Sequence, residues 1–294
     1  MTDDHHFRPT KAYNNTEFLN SKDGRLIRIL AEYLEPASRF RHFRVEDTIV
    51  FFGSARVKAR EIAQEELRIA QLRESEGPQA SDLELAVAMA ERSVLMSRYY
   101  EDAVELARLT TEWSKSLTRN IKGEKQRHFI ICSGGGPGIM EAANRGAALA
   151  RGKSIGLGIG IPQEQFANHF ISRELSFEFH YFFMRKFWFA YLAKALVVFP
   201  GGFGTLDELF ELLTLLQTHK LHKPVPVIMY GTDYWKEVID FDAMVRWGMI
   251  SANDMNLIHF SDTPHEAFEF LHHELERLYS FPSTESSIHL PVQP

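Results

Sequence analysis

The chain has 294 residues, with 33 lysines and arginines against 39 aspartates and glutamates, so its formal net charge is −6. This mild acidity argues against a dedicated nucleic-acid-binding protein, which usually carries a net basic face. Apolar residues (45%) and charged residues (24%) are present in ordinary globular proportions. The single cysteine, Cys132, excludes an intrachain disulfide framework and any metal site made of four cysteine thiolates.

The sequence shows no signal for membrane insertion or secretion. No uninterrupted apolar run reaches the roughly 18 residues that a membrane helix needs. The N-terminus is polar and lacks the apolar segment of a secretory signal. We therefore expect a cytoplasmic protein in which residues 1–21 form a flexible arm and residues 281–294, rich in proline and serine, form a loose tail.

A helix and a strand are predicted after the arm. Apolar residues at helical spacing predict a helix over residues 21–35, which Pro36 ends. Residues 48–52, TIVFF, form a β-branched and aromatic run that stops at Gly53. Such a run is typical of a parallel strand that is buried on both faces.

A long helical region follows the first strand. Residues 58–122 have a helical pattern that is broken at Gly77 and Pro78. The part over about 58–98 is rich in charge, and its break at Gly77 and Pro78 favours a helical hairpin. We expect this hairpin to be solvated or to take part in oligomer formation.

Strands and helices alternate over the rest of the chain. The predicted strands are HFIICSGGG, SIGLGIGIP, ALVVFPGGFGT, PVPVIMYG and NLIHFSD. The predicted helices are PGIMEAANRGAALARG, SFEFHYFFMRKFWFAYLAK, LDELFELLTLLQTHK, YWKEVIDFDAMVRWGM and PHEAFEFLHHELERLYS. This alternation predicts an α/β fold with a doubly wound, mostly parallel, Rossmann-like sheet in three layers, with extra N-terminal helices. No linker divides the pattern, so we expect one domain over residues 22–280.

Three predicted strands end in glycine-rich loops, at residues 53–55, 134–138 and 201–205. Glycine lets the backbone approach an anion closely, and the N–H groups that open the following helix point at it. In an open α/β sheet, ligands bind at the carboxyl ends of the strands. The loops therefore predict a phosphate site. The full dinucleotide pattern GxGxxG with its acidic partner is missing, as is the P-loop pattern GxxxxGK[ST], which argues against a dehydrogenase and an NTPase.

Thr205 and Glu208 allow two interpretations. Thr205 is a good N-cap, and Glu208 three residues later would complete a capping box. Alternatively, both residues face a ligand, and the positive end of the helix dipole favours the ionised form of Glu208. Asp207 and Glu208 lie roughly 100° apart around a helix, so one of them should face the pocket and the other solvent.

Arg185 and Lys186 lie in an otherwise apolar and aromatic segment. Burying an unpaired cation is costly, so each needs an anion or access to water. Both could reach the surface or pair with Glu178, or Arg185 could reach a ligand at the neighbouring strand end. A phosphate loop, a carboxylate and an arginine together suit a phosphorylated sugar. The carboxylate could activate water and stabilise an oxocarbenium-like transition state, as hydrolysis of a glycosidic bond requires.

Several motifs resemble those of one family. PGGFGTLDE, at residues 200–208, resembles the PGGxGTxxE signature of the LONELY GUY (LOG) family, which is also labelled "possible lysine decarboxylase". Met184 with Arg185 and Lys186 matches the arginine-lysine element that precedes this signature. SGGGPGIMEAANRGA (133–147) and FFGSAR (51–56) resemble the loops of the longer members, and the resemblance covers about residues 22–276.

The resemblance implies an activity and a set of site residues. Family members cleave nucleoside 5′-monophosphates into a free base and ribose 5-phosphate, and Arg185 and Glu208 would be the catalytic pair. The residues implied to bind the phosphate or line the site are Ser54, Gly135, Gly136, Lys186, Gly201, Gly202, Gly204, Thr205, Asp207 and Thr214. Met184, Glu164 and Asn168 are further candidates, the last two on a loop that reaches the substrate in relatives. No metal or organic cofactor, nucleic acid or membrane is implied, and members form dimers or larger homo-oligomers built partly from the aromatic helix.

Three functions remain as hypotheses. The first is a phosphoribohydrolase acting on AMP-like or cytokinin riboside monophosphates. The second is a nucleotide-binding carrier or sensor that performs no chemistry, although such a protein would not need the carboxylate. The third, a pyridoxal-phosphate lysine decarboxylase, is disfavoured because the sequence offers no persuasive Schiff-base lysine.

Overall fold

The structure, a computed structural model, describes residues 9–76, 81–117, 120–121, 124–160 and 167–279. The strands in these ranges are β1 (Thr48–Phe52), β2 (Asn120–Ile121), β3 (Glu124–Lys125), β4 (Ile130–Ser133), β5 (Ser154–Ile159), β6 (Ser176–Phe179), β7 (Ala193–Val198), β8 (Val227–Tyr230) and β9 (Ile258–Ser261). The helices are α1 (Thr16–Asn20), α2 (Arg25–His42), α3 (Arg60–Glu76), α4 (Ser81–Ser116), α5 (Ile139–Leu149), α6 (Phe182–Leu192), α7 (Phe203–Gln217), α8 (Thr232–Val238), α9 (Phe241–Arg246) and α10 (Pro264–Leu278).

Seven strands form one parallel sheet in the order β6-β5-β4-β1-β7-β8-β9, while β2 and β3 pair separately. The chain begins at the centre with β1, adds β4, β5 and β6 on one side, and returns to place β7 on the other. This order confirms the predicted doubly wound α/β fold. Because the winding direction reverses at β1, the carboxyl ends of β1, β4 and β7 surround the crevice where such sheets bind ligands.

Successive residues of β1 are buried on opposite faces of the sheet. Val50 and Phe52 belong to an apolar layer with α2, α6 and α7, whereas Ile49 and Phe51 belong to a layer with α4, α5 and α10. The unbroken apolar run TIVFF is therefore a strand buried on both faces, as predicted. No helix within the described ranges has the length and apolar character needed to cross a membrane.

The N-terminal region of the chain is partly helical. A 3-10 turn (Ala12–Asn14) and α1 lie within the predicted arm, residues 1–21. The predicted tail, residues 281–294, lies outside the described residues. The division into an arm, one domain and a tail stays a prediction.

Helices α3 and α4 form the predicted helical hairpin, on either side of residues 77–80. Helix α4 is 36 residues long and belongs to two environments. Its second half is buried against α5 and the sheet through residues such as Tyr100, Ala103 and Leu106. Most of its first half faces away from this core, so one rigid helix connects the hairpin to the domain.

The prediction that Pro36 ends a helix is wrong, because α2 continues through it to His42. Proline has no N–H, so the carbonyl of Glu32, one turn earlier, loses its helical partner. In the structure, Trp188 Nε1 donates a hydrogen bond of 3.0 Å to that carbonyl. The replacement bond removes the penalty of an unsatisfied buried carbonyl and lets the helix continue.

Two predicted helices are divided in the structure. The segment 176–194 begins as the edge strand β6, in which Phe177 and Phe179 are buried and Glu178 is exposed, and only then becomes α6. Alternating burial is the pattern of a strand, and the aromatic density of the segment obscured it. The segment 234–249 is divided into α8 and α9 because the side chain of Asp240 caps a second helix.

A cluster of charged groups lies at the opposite edge of the sheet from the glycine loops. Lys223 Nζ donates a hydrogen bond of 2.5 Å to the Tyr191 carbonyl, and Lys194 Nζ lies 4.0 Å from the ring centroid of Tyr279. Burial, reinforced by the charge of Lys194, lowers the pKa of Lys223 to about 7, although Asp47 opposes the shift. The folded state therefore disfavours a charged ammonium at this position.

Replacing Lys223 by methionine is expected to raise the free energy of unfolding near pH 6 by about 1–3 kcal/mol, because it removes a buried ammonium. In the wild type, the pKa of Lys223 is about 7 when folded against an ordinary value of 10.5. The unfolded chain thus binds more protons between these pH values, and stability rises with pH across that window. The rise should be smaller in the variant.

Urea unfolding at about pH 6 and about pH 9.5 measures this difference. The exposed Lys220→Met provides the control for loss of a lysine in the same region. An identical pH dependence in the wild type and in Lys223→Met would contradict the expectation.

Candidate functional site

The three glycine loops meet at the carboxyl edge of the sheet, around β1, β4 and β7. The amide of Ser54 donates to the carbonyl of Pro200 at 3.0 Å, and the amide of Ile139 donates to the carbonyl of Ser54 at 3.1 Å. Gly138 has a φ of 69°, and a Cβ there would lie 2.3 Å from the Ser54 carbonyl, so only glycine fits. The loops together form one wall of a cavity of about 1520 Å³.

The loop after β7 presents backbone amides to this cavity. Helix α7 begins at Phe203 with Gly202 as its N-cap, and the first bond within the helix runs from Leu206 to Gly202. The amides of residues 203–205 therefore have no carbonyl partner in the helix, which is the arrangement that binds anions. Gly201, Gly202, Gly204 and Thr205 all line the cavity, as does Ser54.

The capping-box interpretation of Thr205 is wrong. Because the helix begins two residues before it, Thr205 lies in the first turn, and no side chain caps the helix at Gly202. Thr205 is buried against Gly201, where a Cβ would lie 2.1 Å from Thr205 Oγ1. Glu208 consequently lies in the second turn, beyond the reach of a cap.

Glu208 and Arg185 form an ion pair on the wall of the cavity. Arg185 Nη2 lies 3.4 Å from Glu208 Oε1, and the two side chains are only 15% and 7% exposed. Burial raises the pKa of Glu208 to about 7, although the charges of Arg185 and Lys186 lower it. The helix dipole favours the ionised form of Glu208, as expected from the sequence, but the dipole effect fades beyond the first turn and burial raises the pKa. A carboxyl group of this pKa can exchange a proton with water near neutral pH.

Arg185 reaches the site rather than the surface or Glu178. Its guanidinium carbon lies 5.2 Å from the ring centroid of Phe182 and 5.7 Å from that of Phe189. Both aromatic residues line the cavity with Arg185. Such faces stabilise a guanidinium group that has lost much of its water.

Lys186, Asp207 and Thr214 do not line the cavity. Lys186 Nζ lies 2.8 Å from Asp207 Oδ2 and 2.7 Å from Glu211 Oε2, in an ion-pair cluster on the outer face of α7. Thr214 Oγ1 donates to the carbonyl of Phe210. The expectation that adjacent acids diverge is confirmed, because Asp207 is exposed while Glu208 is buried. Met184 is buried in the core and is absent from the cavity wall.

The loop after β4 contributes less than the sequence implied. Gly134 lines the cavity, but Gly135 and Gly136 do not. Asn168 Nδ2 donates bonds of 3.1 Å to the carbonyls of both Gly135 and Gly136. Asn168 therefore holds the glycine loop in shape and is not itself part of the cavity wall. Glu164, the other candidate from that segment, lies outside the described residues.

Sequence reasoning missed several residues of the cavity. Arg56 and Lys58 follow the first glycine loop directly, so their position after β1 could have indicated them. Tyr234 donates a hydrogen bond of 2.8 Å to the carbonyl of Gly201 and also lines the cavity. No local pattern indicated Tyr234, because the contact joins α8 to a distant loop. Among the described residues, no group of three or more His, Cys, Asp or Glu side chains could hold a metal ion.

Tyr234→Phe is expected to weaken binding of a phosphate-bearing ligand about three- to tenfold, because one hydrogen bond that fixes the Gly201 carbonyl is lost. In a kinetic assay, KM should rise while kcat changes little, since Glu208 and Arg185 are untouched. Titration with inorganic phosphate and with AMP measures the binding directly. Equal affinity in Tyr234→Phe and the wild type would show that the hydroxyl does not position this loop.

Comparisons with known proteins identify relatives for part of the chain. Residues 140–271 match a family model described as "possible lysine decarboxylase". A probable cytokinin riboside 5′-monophosphate phosphoribohydrolase of Oryza sativa subsp. japonica is 34% identical over 30% of this chain and 41% of its own length. A cytokinin riboside 5′-monophosphate phosphoribohydrolase of Arabidopsis thaliana is 35% identical over 28% of this chain and 38% of its own length. The chain thus matches less than half the length of these two relatives.

Solved structures with a similar arrangement are more distant in sequence. The molybdenum cofactor binding protein from Rippkaea orientalis is 17% identical, with a TM-score of 0.41 over 60% of this chain and 88% of that chain. The Moco carrier protein from Chlamydomonas reinhardtii is 20% identical, with a TM-score of 0.40 over 62% and 90%. The matched family model covers the segment that contains Arg185 and Glu208. Residues 140–271 are thus similar to the family described as "possible lysine decarboxylase", and shorter parts of the chain are similar to the two plant phosphoribohydrolases.

Proposed function

We propose that the protein hydrolyses the N-glycosidic bond of nucleoside 5′-monophosphates, of the AMP or cytokinin riboside type, to a free base and ribose 5-phosphate. One observation carries the proposal. A buried carboxylate–guanidinium pair, Glu208 and Arg185, shares a cavity with the amides of residues 203–205, which have no carbonyl partner within the helix. The amides suit the phosphate, and the carboxylate suits the reacting carbon of the sugar. The names of the family relatives support the same reaction class.

The charges in the cavity suit each step of this reaction. The phosphate binds to the amides at the start of α7, which places the ribose toward Glu208. The Glu208 carboxylate accepts a proton from water, and the water oxygen forms a bond to C1′ as the C1′–N bond breaks. The bonding electron pair leaves with the base, which takes up a proton. The same carboxylate stabilises the positive charge that develops on the ribose ring.

Incubation of the protein with AMP tests the proposal. Chromatography should detect adenine and ribose 5-phosphate in equal amounts, and a panel of other nucleoside monophosphates should rank the bases. Saturable binding of AMP by calorimetry with no base released over hours would contradict hydrolysis and favour the carrier or sensor. The decarboxylase hypothesis predicts release of CO₂ from lysine in the presence of pyridoxal phosphate. The decarboxylase hypothesis has little support, because the Lys186 ammonium forms ion pairs with two carboxylates.

Assembly into a homo-oligomer and a cytoplasmic location belong to the same proposal. Light scattering of the purified protein tests the assembly. We expect a molecular mass of at least twice that of one 33.9 kDa chain. A monomeric mass at the concentration of the activity assay would contradict it.

A further inference from the structure

The wall of the cavity carries more positive than negative side chains. Its described cations are Arg56, Lys58, Arg73, Arg92 and Arg185, and its described carboxylates are Glu66 and Glu208. Arg185 pairs with Glu208, and Lys58 pairs with Glu66. Within the described ranges, no carboxylate lies at ion-pair distance from Arg56, Arg73 or Arg92. These three arginines therefore give the cavity a positive charge that the chain does not neutralise, although its formal net charge is −6.

The hairpin of α3 and α4 contributes arginines to this wall although the hairpin is acidic as a whole. Residues 60–98 contain eight acidic and five basic residues. In the described part of the cavity wall the balance is reversed, because α3 contributes Arg73 and α4 contributes Arg92, while Lys58 neutralises Glu66. Ser93, which follows Arg92, adds a hydroxyl group to the same wall. Guanidinium and hydroxyl groups are donors that suit a phosphate, and arginine can bind it through two parallel hydrogen bonds.

A single phosphate at the glycine loops would leave the arginines of the hairpin without an anion. Arg56 belongs to the loop end of the cavity, because its amide donates a hydrogen bond of 3.1 Å to Ser54 Oγ. Arg73 and Arg92 lie on the hairpin, at the other end of the wall. The cavity volume of about 1520 Å³ exceeds the roughly 300–1,000 Å³ of ordinary ligand sites. The cavity therefore has both the space and the charge for a second anionic group.

We propose that Arg73 and Arg92 bind a second phosphate group of a ligand whose first phosphate occupies the amides of residues 203–205. Two kinds of nucleotide carry such a group: those with a 5′-polyphosphate chain, and those with separate phosphates at the 3′ and 5′ positions of the ribose. The inference rests on the proposed function for the position of the first phosphate. The hairpin, predicted to be solvated or to take part in oligomer formation, thereby gains a part in ligand binding.

Calorimetric titrations of the full chain with AMP, ATP and adenosine 3′,5′-bisphosphate, in the absence of divalent cations, test the proposal. At low salt, ATP or the bisphosphate should bind about tenfold or more tightly than AMP, because a charge-assisted contact to phosphate is added. The ligand that shows the gain identifies the kind of nucleotide. The gain should shrink as the salt concentration rises, because Arg73 and Arg92 are exposed and salt screens their charges.

The double variant Arg73→Gln/Arg92→Gln should lose most of the gain. Its matched control is Arg68→Gln/Arg98→Gln, which removes the same charge from the same two helices but outside the cavity wall. The control should keep the gain. All four substituted side chains are exposed, so both variants should fold, and circular dichroism checks this.

The proposal would be overturned if wild-type protein bound none of the three ligands, or bound ATP and the bisphosphate no more tightly than AMP. A gain that persists in Arg73→Gln/Arg92→Gln, or that both double variants lose equally, would also overturn it, because the effect would then not depend on these two arginines. Failure of the proposed function is a separate result. Wild-type protein would then release no adenine from AMP, while the ratio of affinities would still report on Arg73 and Arg92.

Discussion

Glu208→Gln is expected to lower kcat for AMP hydrolysis by about 10²–10⁴-fold, which is the contribution of a positioned general base. Glutamine has nearly the same shape as glutamate but cannot accept the proton of the attacking water, and it offers no charge to the developing oxocarbenium ion. The side chain is buried and has a pKa of about 7 in the protein, so the variant also removes a carboxylate whose ionisation burial opposes. We therefore expect the variant to fold.

The measurement compares adenine release by wild-type and variant protein at saturating AMP. Thermal unfolding and calorimetric binding of AMP confirm that the variant is folded and still holds the nucleotide. Glu211→Gln is the matched control, because Glu211 lies one turn further along α7 and pairs with Lys186 outside the cavity. Turnover by Glu208→Gln within about tenfold of the wild type would exclude Glu208 as the base.

Local sequence patterns predicted the edge of the sheet that carries the site. Glycines that end three strands, combined with the rule that a doubly wound sheet binds ligands at its carboxyl edge, indicated loops that line the cavity. The helical angle between neighbouring residues predicted that Glu208 and Asp207 would face different surroundings. These predictions succeeded because each depends on contacts between residues that are close in the chain or on a property of the whole fold.

The errors concern features that depend on distant contacts. Helix α2 passes Pro36 because Trp188, 156 positions after Glu32, supplies the missing donor. Tyr234 contacts Gly201, which lies 33 positions earlier in the chain, and no periodicity of the sequence predicts such a contact. Thr205 failed as a cap for a different reason. The sequence around Thr205 is the same whether the residue is the N-cap or lies in the first turn. Only the residue at which the helix begins distinguishes these two positions.

The position of Lys186 could not be predicted from the sequence for a third reason. It is adjacent to Arg185, and the resemblance placed both in the site, yet it pairs with Asp207 and Glu211 on the outer face. Neighbouring residues on a helix diverge by about 100°, so only one of the pair can face the cavity. Choosing between them requires knowing which side of α6 packs against β5 and β6, and this depends on how the layers of the fold assemble.

Arg185→Met is expected to lower kcat/KM for AMP at pH 7 by about 10²-fold and to move the ascending limb of the pH–rate profile to higher pH. The limb reports deprotonation of Glu208, whose pKa is about 7 because burial raises it while the Arg185 guanidinium lowers it. Removing the guanidinium leaves the effect of burial less opposed, so the pKa of Glu208 rises further and less of the carboxylate is ionised at pH 7. Methionine keeps an unbranched apolar side chain in the wall and removes the guanidinium, whose carbon lies 5.2 and 5.7 Å from the ring centroids of Phe182 and Phe189.

Arg185→Lys provides the control, because it retains a positive charge near Glu208 and should return the limb toward the wild-type position. The substrate phosphate also titrates, with a second pKa of about 6. A limb that is set by the phosphate would stay in place when Arg185 changes, whereas a limb that is set by Glu208 must move. Profiles of kcat/KM from about pH 5 to about pH 9 for the three proteins therefore distinguish the two. A limb at the same pH in all three would contradict a general-base role for the buried carboxylate.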